Sequence, residues 1–391
     1  MSVTAAAGFL AGGTTAGLKT SGKPDLALVV NTGPQQTAAA VFTGNRVRAA
    51  PVLWSEQVLA DGRLRAVVLN SGGANACTGP DGFADTHRTA EHVAAALTAA
   101  HPGAQPVGAI DVAVCSTGLI GVRLPMDKLT AGVDVLAGTV TADGGPAAAE
   151  AILTTDSRAK QVSYVDEGWS VGGMAKGAGM LAPGLATMLV VLTTDAVLDP
   201  ALVRGQLVEA CRRSFDRVDS DGCMSTNDTV ILMSSGASGV TPAASDFQAA
   251  LNEACSDLAL QLLADAEGAA HEIAITVTHA ATEDDAVEVG RAIARSNLFK
   301  CAVFGGDPNW GRVLAAIGTT SAAFEPDRLD VSFNGVQVCR DGGIGEPRDL
   351  VDLSGRSVQV KVDLRAGARS ATVWTNDLTY DYVRENAEYS S

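Results

Sequence analysis

Between Gly172 and Thr194 the chain reads GGMAKGAGMLAPGLATMLVVLTT, and two residues in it carry side chains fit for chemistry. Lys176 stands in a glycine-dense lead. Thr187 follows Pro183 and Gly184, which bend the backbone just ahead of it. Met188 to Leu192 then forms a continuous apolar run suited to a strand covered on both faces. A threonine at such a junction brings its hydroxyl beside the peptide bond that precedes it. If Oγ attacks the Ala186 carbonyl, the chain is cut, and Thr187 becomes an N-terminal nucleophile with its own amine as base. The plainer reading is a β-branched residue starting a strand, and Thr187 alone does not decide between the two.

Two other segments are built to expose backbone amides. Asn70–Gly79 (NSGGANACTG) is a run of small polar residues after a strand, free to face a ligand or to form a surface loop. Cys115–Gly121 (CSTGLIG) leaves a strand through Ser116, Thr117 and Gly118. Small residues there let successive N–H groups converge on an anion, as in an oxyanion hole, although a tight turn has the same composition. Glu267, beside Gly268 at a helix–strand joint, can present a carboxylate to an ammonium or remain a solvated loop acid. Residues 214–229 carry Asp216, Asp219, Asp221 and Asp228 but lack the register and distal Glu of an EF-hand, so turns and caps explain them as well as a cation does. None of the five histidines belongs to an H-E-x-x-H pair; His87 and His92, five apart, read as solvated, and metal catalysis is not expected.

These residues need elements to hold them. Strands are expected at 26–30, 38–43, 65–69, 111–115, 161–165, 169–172, 188–192, 230–233 and 272–277, with three weaker ones in 328–375. Helical patterns cover 85–100, 126–137, 146–152, 200–213, 246–264 and 283–294, and Gly305–Arg312 reads as a rigid turn opening a further helix. The alternation of element types predicts a layered α/β fold without internal repeats or a long linker.

The bulk numbers bound the class. At 391 residues with 47% hydrophobic and 18% charged residues, the chain has material for two lobes or one large unit. Its 28 basic and 44 acidic residues leave a net charge of −16, which argues against nucleic acid and against an anionic membrane surface. Seven scattered cysteines without a C-x-x-C fit reduced thiols in the cytoplasm. The first residues lack the charged and apolar regions of a secretory signal, and no apolar run reaches a membrane span.

Taken in order, NSGGANACTG at 70–79, CSTGLIG at 115–121, Thr154-Thr155-Asp156, MAKGAGMLAPGLATML at 174–189, STNDT at 225–229, DAEG at 265–268, GDPNWGR at 306–312 and the tail Tyr382–Ser391 resemble the ornithine acetyltransferase family. These are glutamate N-acetyltransferases of arginine biosynthesis, and the likeness is to actinobacterial members. The resemblance implies a sandwich of sheets flanked by helices, similar to N-terminal-nucleophile hydrolases, with a smaller C-terminal α/β lobe. It implies self-cleavage into an α chain of residues 1–186 and a β chain of residues 187–391, associated as α2β2. Thr117 and Gly118 fall on the family's oxyanion pair. Thr154, Lys176, Thr187, Glu267, Asn386 and Ser391 fall on its substrate-binding positions, with Thr187 the nucleophile and Ala186–Thr187 the cut bond. No cofactor is implied.

The expected reaction passes an acetyl group from N-acetylornithine through Thr187 to glutamate, and acetyl-CoA is an open alternative donor. By chemistry, Lys176, Asn386 and Ser391 suit the carboxylate end that both amino acids share, and Glu267 suits an amine. Ala266, Ala270-His271 and Arg158-Ala159 depart from residues common in the family, but none occupies a site position. An amidase or aminopeptidase with the same nucleophile, and a non-catalytic binding protein, are the competing readings.

Overall fold

The structure, a computed structural model, describes residues 2–103, 105–182 and 188–388. Ala186, Thr187 and Ser391 lie outside them.

The apolar run after the central stretch is the strand Leu189–Thr194, buried at every position. Its alternate side chains serve two cores: Leu189 and Val191 join one, Val190 and Leu192 the other. It lies at the middle of a five-stranded sheet ordered Thr37–Phe42, Thr229–Ser234, Leu189–Thr194, Trp169–Lys176, Lys160–Asp166, antiparallel except for its pairing with Thr229–Ser234. A four-stranded sheet, Phe9–Thr14, Leu26–Asn31, Ala66–Asn70 and Val112–Ser116, shares the first of those cores. The helices Gly79–Ala100 and Met126–Ala137 cover this smaller sheet. Pro200–Arg213 and Ala244–Ala264 cover the other side of the five-stranded one. The result is helices, sheet, sheet, helices, the layered α/β architecture expected from the sequence.

Residues 272–388 form a separate lobe with its own core. Its six-stranded sheet is ordered Gly343–Ile344, Val336–Arg340, Asp330–Phe333, Ser357–Asp363, Glu272–Ala280, Arg369–Asn376. The helix Glu283–Ala294 lies against the last two strands. It starts where Thr282 accepts the Asp285 N–H, with three acids in the first turn and Arg291 in the last. A final helix, Tyr380–Glu388, follows the sheet.

Several elements depart from expectation, the strand Phe9–Thr14 and the helix Tyr380–Glu388 among them. Ala50–Val58 is a helix outside the expected set, with Ala50, Trp54 and Val58 on its buried side; Trp54 Nε1 and Ser55 Oγ donate to the Val112 and Val114 carbonyls at 3.0 and 2.8 Å and pin it there. Asn297–Phe304 is a helix too short to show a period, capped by Ser296. The region after 328 holds five strands rather than three, because two pieces of five residues or fewer pair only at the sheet edge.

Candidate active site

Lys176 ends the strand Trp169–Lys176 and pairs across the ladder with Leu189, so residues 177–188 connect two neighbouring antiparallel strands. The ammonium of Lys176 is buried and donates to Thr154 Oγ1 at 2.7 Å and to Thr117 Oγ1 at 3.3 Å. Its third neighbour is Asp156 Oδ2 at 3.9 Å. Burial holds the Lys176 pKa below the ordinary lysine value, opposed by Asp156.

Asp156 is the hub beneath. It accepts the N–H of Gly177 at 2.6 Å and of Thr154 at 3.0 Å, and it pairs with the fully buried Lys160. Burial alone would raise its carboxyl pKa, but Lys176 and Lys160 outweigh that and hold it well below the usual range. Lys160 also pairs with Asp265 at the end of the helix Ala244–Ala264, tying the DAEG joint to the same network. Beside it, Glu267 Oε1 accepts from Thr155 Oγ1 at 2.8 Å, and the Glu267 N–H donates to the Ala178 carbonyl at 2.9 Å.

The strand Val112–Ser116 delivers Thr117 and Gly118. Gly73 and Ala74 donate to the Thr117 and Leu119 carbonyls at 3.0 and 2.9 Å, so 117–119 run alongside the NSGGANACTG loop. Gly118 sits at φ +126°, and a Cβ there would lie 2.8 Å from the Gly73 nitrogen, so only glycine fits. Among the described residues the Gly118 N–H has no acceptor, which leaves it available to an oxyanion.

STNDT bolts these parts together. Asn227 Nδ2 donates to the Ala74 and Ser116 carbonyls at 2.7 and 2.8 Å, joining the two sheets. Asp228, fully buried, accepts the N–H of Met188 at 3.1 Å and of Ser225 at 3.0 Å, and burial raises its pKa far above the carboxylate norm. The four aspartates do not converge on a cation: Asp219 pairs with Arg295, while Asp221 accepts amides of Met180, Leu181 and Cys223. His87 leans on Trp54, and His92 pairs with Asp134.

Of the expected site residues, Thr117, Gly118, Thr154 and Lys176 converge, and Glu267 joins them through Thr155. Asn386 does not; it is exposed on the last helix, where its side chain donates back to the Tyr382 carbonyl. Asp156, Lys160, Asn227 and Asp228 hold the site; in sequence, Asp156, Asn227 and Asp228 fall within motifs that assign them no such holding role, and Lys160 is not singled out. A signal existed for one pair: Asp156 and Lys160 stand four apart.

The ArgJ family model matches residues 10–391. The arginine biosynthesis bifunctional protein ArgJ of Streptomyces coelicolor is 64% identical over 391 residues, covering all of both chains. That of Thermobifida fusca is 61% identical, again over the full length of both. Among solved structures, ornithine acetyltransferase of Mycobacterium tuberculosis complexed with ornithine shows 61% identity, covering 48% of this chain and 96% of that one, with a TM-score of 0.45.

Proposed function

The chain belongs to the ArgJ family and is an acyltransferase of arginine biosynthesis, and from that premise we propose that it carries acetyl from N2-acetyl-L-ornithine to L-glutamate through an acetyl-threonine at Thr187. The chain first cuts itself before Thr187. The freed α-amine, near neutral at working pH with an ordinary pKa of about 7.7–8.0, takes the Oγ proton as Oγ adds to the acetyl carbonyl. The resulting oxyanion is held by donors at Thr117 and Gly118. Collapse breaks the C–N bond, and the ammonium of Thr187 returns its proton to the leaving ornithine amine. Glutamate enters, its amine attacks the ester, and the steps run in reverse to release N-acetylglutamate and free Thr187.

The observation that carries this reading is the Lys176–Thr154–Thr117 cluster at the mouth of the 177–188 connection, with the unengaged Gly118 amide beside it. Lys176 and Thr154 suit the carboxylate that both substrates share. Glu267 suits an amine. Asn386 and Ser391 complete the site from the C-terminal segment in this proposal. The word bifunctional in the relatives' names supports acetyl-CoA as a second donor to glutamate. The two products, residues 1–186 and 187–391, stay together in an α2β2 assembly in the cytoplasm.

The test is Thr187→Ala. It should give one uncut chain with no transferase activity, whereas two fragments on a denaturing gel would defeat the cleavage assignment. Wild type quenched rapidly after mixing with N-acetylornithine should carry one extra acetyl group on the peptide that begins at Thr187. Acetate release without need of glutamate would favour an amidase instead.

A further inference from the structure

Glu267 lines two hollows. One is a wide cleft of about 820 Å³ whose charged lining is mostly acidic, with Asp265, Asp381, Glu385 and Glu388 beside a single Arg356. The other is a small cavity of about 90 Å³ between Ser220, Asp221, Lys300, Asn376 and Tyr382, room for the end of a side chain rather than a whole ligand. Its unusual member is Lys300, only 5% exposed. An ammonium has three protons to donate. Lys300 Nζ places one on the Ser220 carbonyl and one on Thr375 Oγ1 at 3.2 Å, and among the described residues the third has no acceptor. Asn376 is wholly occupied: Oδ1 accepts from Ser220 Oγ at 2.8 Å, and Nδ2 donates to the Leu263 and His271 carbonyls. Asp221 already accepts backbone amides, and Asp377 accepts those of Ala270 and His271 and pairs with the His271 ring. The buried cation of this cavity is Lys300, whereas Arg295 on its rim is about half exposed and pairs with Asp219.

The acetyl-transfer reading, on which this inference rests, sets a problem that such a cation answers. Donor and acceptor share an α-amino acid head, but one ends in an ammonium and the other in a carboxylate. A single site must offer both signs where they differ. Glu267 offers the negative one. We infer that Lys300 supplies the positive one, receiving the side-chain carboxylate of glutamate in the small cavity and so selecting the acceptor in the second half-reaction while leaving the first untouched. A carboxylate there accepts the spare proton and relieves a buried charge of part of its desolvation cost.

The comparison of L-glutamate with L-glutamine, its neutral isostere, reads this directly. Calorimetric binding and KM should favour glutamate in wild type at pH 7. Burial lowers the Lys300 pKa to about 8, with Asp221, Asp219, Asp377 and Cys301 pulling it back up and Arg295 and Glu267 also facing the cavity. The preference should therefore fade as pH rises through that value. In Lys300→Met the KM for glutamate should rise at least about tenfold relative to glutamine, while ornithine release from N-acetylornithine in a single turnover stays within about twofold. An unchanged glutamate-to-glutamine ratio in the variant, or equal loss in both half-reactions, overturns the inference. If the variant does not fold, the wild-type pH series decides, a flat ratio across pH 7–9 counting against Lys300. Absence of ornithine release in wild type would instead sink the acetyl-transfer reading, and direct binding of the two amino acids would still judge the cavity.

Discussion

A buried ammonium is costly unless its protons have acceptors, and Lys176 shows how three residues distant in sequence meet that need: Thr154, Thr117 and Asp156. The same economy makes Asp156 expensive to change. Asp156→Asn leaves Lys160 and Lys176 buried with one counter-charge fewer, and should lower stability by roughly 3–5 kcal/mol in urea titrations at pH 7. The sign with pH follows from its depressed pKa: the contribution is fully present above the unfolded value of about 3.9 and is lost as pH falls through the folded value. The gap between wild type and variant should therefore narrow below about pH 4. Gly118→Ala addresses chemistry instead. Its Cβ would press on the Gly73 backbone in a φ region hostile to alanine, displacing the free amide, and kcat should fall by about 10²–10³ with little change in KM. Of these residues, Lys176, Thr117 and Gly118 are legible in the sequence, because a lone lysine among glycines and small residues at a strand exit are local signals. Lys160 to Asp265 is not, since the partners are separated by 105 positions and only the fold brings them together.

At the scale of elements, the helix Tyr380–Glu388 approaches Gly268 closely. Gly268 has φ +61°, and a Cβ on it would collide with the Tyr382 backbone. Thr379 Oγ1 meanwhile donates to the Gly268 carbonyl and accepts the Tyr382 N–H at 2.9 Å. The glycine of DAEG thus sets where the last helix begins, over Glu267. Gly268→Ala should leave the circular dichroism of the protein intact yet raise KM for both substrates several-fold, and a normal KM would mean that this helix does not bear on the site. Long amphipathic helices such as Pro200–Arg213 and Glu283–Ala294 fall within their expected bounds because cap and period agree. Ala50–Val58 escapes such reading because what stabilises it is a tryptophan and a serine bonded to another strand. Asn386 is marked by its position in sequence, and its side chain here donates to the Tyr382 carbonyl on its own helix.

For the molecule as a whole, the proposed cut does not coincide with any division of the cores. The five-stranded sheet takes Thr37–Phe42, Lys160–Asp166 and Trp169–Lys176 from before residue 187, and Leu189–Thr194 and Thr229–Ser234 from after it. The natural seam lies instead near Glu272, where a third core begins. Mature protein should accordingly run as one species in native gel filtration and as two polypeptides after denaturation. Separation of the two in buffer alone would contradict the shared sheet. Sequence order conveys the alternation of strands and helices but not this interleaving, because neighbouring strands such as Thr37–Phe42 and Thr229–Ser234 are nearly two hundred residues apart.

Lys176 and Leu189 face each other as ladder partners. A nick in the connection between them removes no rung, so both sides of the break remain clamped by the hydrogen bonds that held the loop's ends. The expense falls elsewhere. Once severed, the polypeptide can regain its shape only through a collision of two molecules, so its recovery from denaturant becomes second order and dilution defeats it. The unbroken chain meets no such obstacle, so the proposed scission is best placed after folding.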